Sequence, residues 1–263
     1  MTDTLQLFLA GLIAISLYMG VVWILSLLMR NAGIVDVAWS FGFTFLAGLY
    51  AFLSPPQLPA DAVLLCMYVI SSLRLTWHLT ARFLRWFPEE DARYAALREQ
   101  MGDSADMKML VVFLFQGAVL ALFTAPLVVS LTDGRAELDM FATIAIVVWF
   151  IALSGETLAD QQLANFASDP QNRQKTCQLG LWRYSRHPNY FFEWLSSVSF
   201  ALYVTGSPYG LLAWSSPALL LHLLFNVTGI KPSEAHSLKT RPDYAEYARR
   251  TSVFVPWPRR KVQ

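Results

Sequence analysis

Ser71, Arg74, His78 and Arg82 recur at i, i+3, i+7 and i+11 in a stretch that is otherwise apolar, a spacing that places all four on one helix face. Glu156 and Asp160 repeat the four-residue step further on, and Arg186, Asn189 and Glu193 run along one face of a third stretch. Guanidiniums, imidazole, amide and carboxylates together can hold phosphate and carboxamide groups and can move protons. Asp36 and His222 add ionisable groups to two other apolar runs. A charge at the centre of a membrane helix costs on the order of 2.5–3.5 kcal/mol on insertion scales, so each of these residues needs a reason. Three polar stripes turned inward from one side of the membrane predict a single hydrated or ligand-filled cavity that opens there. A structural alternative stands beside it. Arginines near helix ends snorkel, and Glu156 or Asp160 can pair with Arg74 or Arg82 simply to hold helices together. His222 reads as a helix contact and His236 as a solvated tail residue.

The connecting segments carry a matching pattern. Residues 89–102, EEDARYAALREQMG, have helical spacing with Arg93 and Tyr94 on one side. Arg173, Lys175, Arg183, Tyr184, Arg186 and His187 precede the third polar stripe, and the tail holds Tyr244 and Tyr247 before Arg249 and Arg250. Loop basicity explains the charge but not the interleaved aromatic and amide groups. Basic groups with hydrogen-bonding aromatics suit a nucleotide cosubstrate, with cations for its phosphates and rings for stacking. No G-x-G-x-x-G opens a helix after a strand, so a dinucleotide would be held without a Rossmann unit.

The elements that position these groups follow from composition. Of 263 residues, 55% are hydrophobic and 15% charged, with mean hydropathy +0.41. A soluble domain carries about a quarter of its residues charged, so the chain reads as all-α and membrane-embedded. Apolar segments long enough to cross a bilayer lie near 5–29, 34–53, 60–84, 109–131, 139–163, 189–206 and 208–230, predicting a bundle of seven transmembrane helices. Lysine and arginine cluster after the first, third, fifth and seventh spans, while the loop at 132–138 holds only Arg135 among Asp133 and Glu137. The N-terminus is therefore expected outside and the C-terminus, with basic Arg259, Arg260 and Lys261, in the cytoplasm. The first run is too long for a signal h-region and has no basic residue ahead of it, so it is expected to be a span. Cys66 and Cys177 fall in a helix and a loop, and no disulfide or metal site is expected. A net charge of +1 argues against nucleic acid, and the lack of a Gly-x-x-x-Gly interface predicts a monomer.

GLWRYSRHPNYFFEWL at 180–195, RNAGIVDVAWSFG at 30–42, EEDARY at 89–94 and RPDYAEYARRTSVFVPWPRR at 241–260 together resemble the bacterial branch of the membrane steroid 5α-reductase family. The resemblance covers nearly the whole chain. It implies a seven-helix domain at residues 1–263 in the bacterial inner membrane, with its active-site mouth facing the cytoplasm. Residues 1–107 would carry the substrate-side helices, and 108–263 much of the cofactor site. The implied reaction is NADPH-dependent reduction of the C=C bond of an enone lipid, most simply a 3-oxo-Δ4-steroid. By the family pattern, Asn189 and Glu193 would hold the nicotinamide carboxamide. Arg74, His78, Arg82, Arg93, Tyr94, Asp160, Arg173, Lys175, Tyr184, Arg186, His187 and Tyr244 would be further cofactor contacts.

The chemistry also requires a group that hydrogen-bonds the ketone as negative charge develops on its oxygen. In the steroid-reducing relatives a carboxylate on the second helix and a tyrosine on the third share this task. The carboxylate maps onto Asp36, whose burial in an apolar site would favour the protonated form. The tyrosine position is Ser71 here. Either Tyr68, one turn away, substitutes, or Asp36 acts with Trp39 packed on the ligand, or the substrate is another flat enone lipid. Arg-His-Pro-x-Tyr with a Glu…Tyr…Tyr tail, matched by Glu234, Tyr244 and Tyr247, is also similar to the isoprenylcysteine-type membrane methyltransferases that bind S-adenosylmethionine. Glu193 favours the reductase, because a carboxylate suits a carboxamide NH₂. A non-enzymatic lipid-binding protein would leave the polar stripes unexplained.

Overall fold

The computed structural model describes residues 2–133 and 138–259. Arg135, Glu137, Arg260 and Lys261, which enter the charge pattern, lie outside the described residues. Among the described residues the structure is helical, its only β feature an isolated bridge between Ser185 and Ser252. The chain forms two compact units, Met1–Leu138 with Gly206–Ala213, and Asp139–Thr205 with Trp214–Gln263.

The first unit holds α1 (Thr2–Met29), α2 (Ile34–Leu53), α3 (Pro59–Trp86), α4 (Ala92–Met101), α5 (Ala105–Phe123) and α6 (Ala125–Asp133). Its core lies where α1, α2 and α5 meet, with Ile15, Met19, Leu46, Tyr50, Phe113 and Leu120 fully buried. Gly11 makes this approach possible, because a Cβ there would fall 2.0 Å from the Tyr50 hydroxyl. Ser72 pins α3 to α2 by donating to the Ser40 carbonyl at 2.6 Å while accepting from the Thr44 hydroxyl at 2.7 Å. The fourth predicted span, 109–131, is not continuous. Pro126 has no N–H to offer the preceding turn and disfavours helical geometry just before it, so the chain breaks at Thr124 between α5 and α6. The buried Met109, Phe113 and Leu120 seat α5 on α1 and α2, so the fourth apolar segment belongs with the first three.

The second unit contains α7 (Met140–Ser168), α8 (Pro188–Tyr203), α9 (Ser215–Asn226), α10 (Ile230–Thr240) and α11 (Tyr244–Arg250). Asp139 caps α7 by accepting from the Ala142 N–H at 2.7 Å. α7 and α8 touch closely at Gly155, where a Cβ would lie 2.4 Å from the Phe192 ring. Among the described residues, six helical segments are long and apolar enough to cross a membrane, which makes this an all-helical integral membrane protein. α8, the sixth predicted span, has 16 residues and falls short of that length. Apolar side chains exposed along the other spans, including Ile13, Leu17, Val147 and Ile151, form the surface a bilayer would cover.

Candidate functional site

In the first unit, Asp36 is the hub of an ion cluster rather than a lone acid in an apolar wall. It stands in the first turn of α2, three residues past Gly33. Its Oδ1 accepts from the Tyr94 hydroxyl at 2.6 Å, and its Oδ2 accepts from Arg93 at 2.6 Å and from Arg82 at 3.2 Å. A carboxylate with three donors on it serves as an acceptor, so the expectation that Asp36 gives a proton to a ketone is corrected here. Arg82, Arg93 and Tyr94, expected as cofactor contacts, each direct one donor at Asp36 within the protein.

Asp91 completes the cluster. It caps α4 by accepting from the Arg93 N–H at 2.9 Å and binds the Arg93 guanidinium through both oxygens. Burial alone would raise the Asp91 carboxyl, but the hydrogen bonds and charge of Arg93, with the charge of Arg82, hold it below the usual carboxylate range. Two guanidiniums thus face two carboxylates. Beside them Glu90 accepts from the Ala32 N–H at 2.7 Å and pairs with Arg98, which also reaches Asp106. Buried Asn31 ties the same loop down by donating to the carbonyls of Pro88 and Glu89. The cluster therefore fastens α4 to the ends of α2 and α3.

Of the other ketone-side candidates of this unit, Tyr68 and Trp39 share the neighbours Phe43 and Phe123. Tyr68 is buried and its hydroxyl donates to the Phe123 carbonyl at 2.8 Å, so it packs into the bundle instead of replacing the missing tyrosine. Trp39 packs edge-on against Phe43 and Phe123, and its indole N–H donates to the Gln116 carbonyl at 3.3 Å. Ser71, Arg74 and His78 remain on one half-buried face of α3 as their spacing predicts.

The second unit builds its site at the entry to α8. Arg186 and His187 both reach the same oxygen of Glu234 on α10, at 3.1 and 3.2 Å. Tyr244 hydrogen-bonds the same carboxylate, and burial together with the Glu234 charge pushes its hydroxyl well up, so it remains a donor. The His187 ring stacks flat on Tyr190 at 5.3 Å. In the first turn of α8, Asn189 has its side-chain oxygen buried without a hydrogen-bond partner, and the Arg186 Nε is likewise buried and unpartnered. Glu193 lies four residues beyond Asn189 on the same helix face. Glu156 and Asp160 are buried on α7, as their spacing predicts.

Residues 176–187 are shaped by several anchors. Thr176 donates from its N–H and hydroxyl to Asp243, Gln162 accepts from the Leu181 N–H at 2.9 Å, and the Trp182 indole donates to the Ala159 carbonyl at 2.9 Å. Burial alone would raise the Asp243 carboxyl, but the Thr176 hydrogen bonds outweigh it and hold the group below its ordinary value. Arg173, Lys175 and Tyr184 lie exposed along this connection. Burial pushes the Cys177 thiol up, away from thiolate chemistry, and both cysteines are free. His222 is exposed on α9, with a ring nitrogen 3.4 Å from Asn226, so it is not the interhelical contact its position suggested.

Sequence reasoning missed three features of these sites. Glu89-Glu90-Asp91 is legible as an acidic run but not as the counter-charge to Arg93 and Arg98. Glu234 was matched only to the methyltransferase tail, and Ser185 and Thr251 were not singled out. Glu234 could have been found from the need of buried Arg186 for a carboxylate. The two serine and threonine hydroxyls carry no such pattern.

Residues 22–251 match the family described as "Protein of unknown function (DUF1295)". The chain belongs to this family. No curated protein and no solved structure matches it.

Proposed function

We propose that this DUF1295 protein is a membrane reductase that uses NADPH to saturate the C=C bond of an enone lipid, with a 3-oxo-Δ4-steroid as the simplest substrate. The observation that carries the reading is the buried, unpartnered oxygen of Asn189, with Glu193 one turn further on the same face. A primary carboxamide has two N–H donors to offer, and an amide oxygen and a carboxylate are two acceptors suited to them. A buried acceptor without a partner costs about 1–3 kcal/mol, which a bound carboxamide would recover. The Nε of Arg186 is a donor of the same kind for the anionic part of a dinucleotide.

Bound NADPH would supply the hydride that the β-carbon of the enone receives. Asn189 and Glu193 would hold the nicotinamide by its carboxamide and so fix which ring face is presented. Arg186 is paired with Glu234, and His187 is kept in place by Glu234 and Tyr190. The reading keeps Ser71, which stands at the family's tyrosine position, as the group that would hydrogen-bond the ketone. Arg74, His78, Asp160, Arg173, Lys175 and Tyr184 keep their resemblance-based cofactor roles in the proposal. It counts α8, the sixth predicted span, among the seven, although 16 residues rise only about 24 Å and would need local thinning of the bilayer. The N-terminus is placed outside, and the site mouth of a monomer faces the cytoplasm of a bacterial inner membrane.

One observation favours a second reading. Arg186, His187, Glu234 and Tyr244 form one hydrogen-bonded cluster, and these are the residues shared with the S-adenosylmethionine-dependent methyltransferase pattern. Titration calorimetry of detergent-purified protein with NADPH and with S-adenosylmethionine separates the two. Binding of NADPH that disappears in Glu193→Ala supports the reductase, whereas binding of S-adenosylmethionine alone overturns it.

A further inference from the structure

The C-terminal segment after α10 makes a run of hydrogen bonds onto residues 182–187, immediately ahead of α8. The Tyr247 hydroxyl donates to the Trp182 carbonyl at 2.7 Å, with the Ser185 carbonyl at 3.1 Å as a second acceptor. The Ser185 hydroxyl donates to the Phe254 carbonyl at 2.7 Å and accepts from the His187 N–H at 3.1 Å. The Arg186 N–H donates to the Ser252 carbonyl at 2.8 Å, and the Trp257 N–H to the Tyr184 carbonyl at 2.9 Å. Phe254 then plugs the arrangement against Phe191, Trp194 and Phe225.

These bonds act on an irregular piece of chain. The segment passes through a single turn of 3-10 helix at Gly180–Arg183 and then the isolated bridge of Ser185 to Ser252 before Pro188 starts α8. Such a segment supplies few hydrogen bonds of its own, so its backbone polar groups must find partners elsewhere or remain unsatisfied. Local turns and Gln162 take up some of them, and the tail and Tyr247 take up the carbonyls of Trp182, Tyr184 and Ser185 and the N–H of Arg186. The side chains whose direction this backbone sets are Arg186 and His187. In addition, Thr251 lies beside the Ser252 carbonyl that holds Arg186, and its hydroxyl is buried without a partner.

We infer that the tail from Tyr247 to Trp257 is a strap that sets the register of Arg186, His187 and Asn189, and that Tyr247 is a positioning residue for ligand binding. The inference rests on the proposed cofactor reading of this site. Tyr247 acts through the backbone carbonyls of Trp182 and Ser185 and touches no ligand itself. Its hydroxyl is a stable donor, because burial pushes it well above its ordinary value.

The test uses the full-length protein in detergent and compares wild type with Tyr247→Phe, which keeps the ring and removes only the hydroxyl. Amide hydrogen exchange without ligand reads the strap directly. Exchange at residues 182–189 should rise about tenfold while α7 and the first unit stay unchanged. NADPH titration should then show a Kd raised about tenfold, and turnover at saturating NADPH should remain within twofold. Ser185→Ala, which removes the tail bond at Phe254, should give the same split, and the double variant should cost less than the product of the two. Unchanged exchange at 182–189 in Tyr247→Phe overturns the inference. So does an unchanged Kd, or a loss of turnover at saturation that matches the loss of binding. Wild-type protein that binds no NADPH refutes the cofactor reading instead, and the exchange measurement still reports on the strap.

Discussion

Asp36→Asn separates a structural hub from a catalytic acid, because the two roles predict opposite results. Asparagine keeps the shape and one acceptor oxygen but replaces the other by an NH₂. That group must then face either the Tyr94 hydroxyl or the two guanidiniums now at 2.6 and 3.2 Å from Oδ2. Hydrogen bonds to a charged group contribute about 1.5–3 kcal/mol, and the half-exposed arginines contribute about 0.2–1 kcal/mol each as ion pairs. Asp91 still neutralises part of the Arg93 charge, so a net loss of about 2–3 kcal/mol is expected. For a chain of this size each kcal/mol moves the melting temperature by about 2–4 °C, which predicts a drop of about 5–10 °C. The assay is a detergent melt at one fixed scan rate, paired with turnover per folded molecule at a temperature well below both transitions. The hub reading expects the lower melting temperature with turnover within about threefold of wild type. An unchanged melting temperature with turnover reduced a hundredfold would refute it and return Asp36 to the role of proton donor.

Two further expectations concern the second unit. Gly155→Ala should cost about 1–3 kcal/mol by displacing the Phe192 ring, which lies 2.4 Å from the added Cβ, and the melting temperature checks it. Asp243 has a folded-state pKa held below its unfolded value of about 3.9, so its stabilisation is complete above that pH and is lost as pH falls through the lower folded value. Wild-type protein should therefore lose, as pH falls from about 5 through the depressed folded value, a small component of stability that Asp243→Asn lacks. The group is only partly buried, so the difference is modest. Identical pH profiles would refute the assignment.

The apolar spans were legible because the hydrocarbon core imposes a length, and α1, α2, α3 and α7 fall close to where that length places them. Pro126 was visible but was read as part of one span, since a window of hydropathy is blind to a single missing N–H. The helical faces were legible too, because Ser71, Arg74 and His78 on α3, and Asn189 and Glu193 on α8, depend only on a period of 3.6 residues. What each face meets was not. The charged segment 89–102 shows Arg93 and Tyr94 on one side as its helical spacing predicts, yet Arg82 and Arg93 are opposed by Asp36 and Asp91, and Arg98 by Glu90 and Asp106. Counting cations along a chain measures how much positive charge is present, whereas binding depends on what remains after pairing across 46 or 57 residues of sequence. By that measure the better anion candidate lies at the entry to α8. There Arg186 has one carboxylate on its Nη1, shared with His187, and an Nε that nothing in the described protein satisfies. The same logic picks out Asn189, whose type and position were legible, while the absence of a partner for its oxygen is a property of the fold alone.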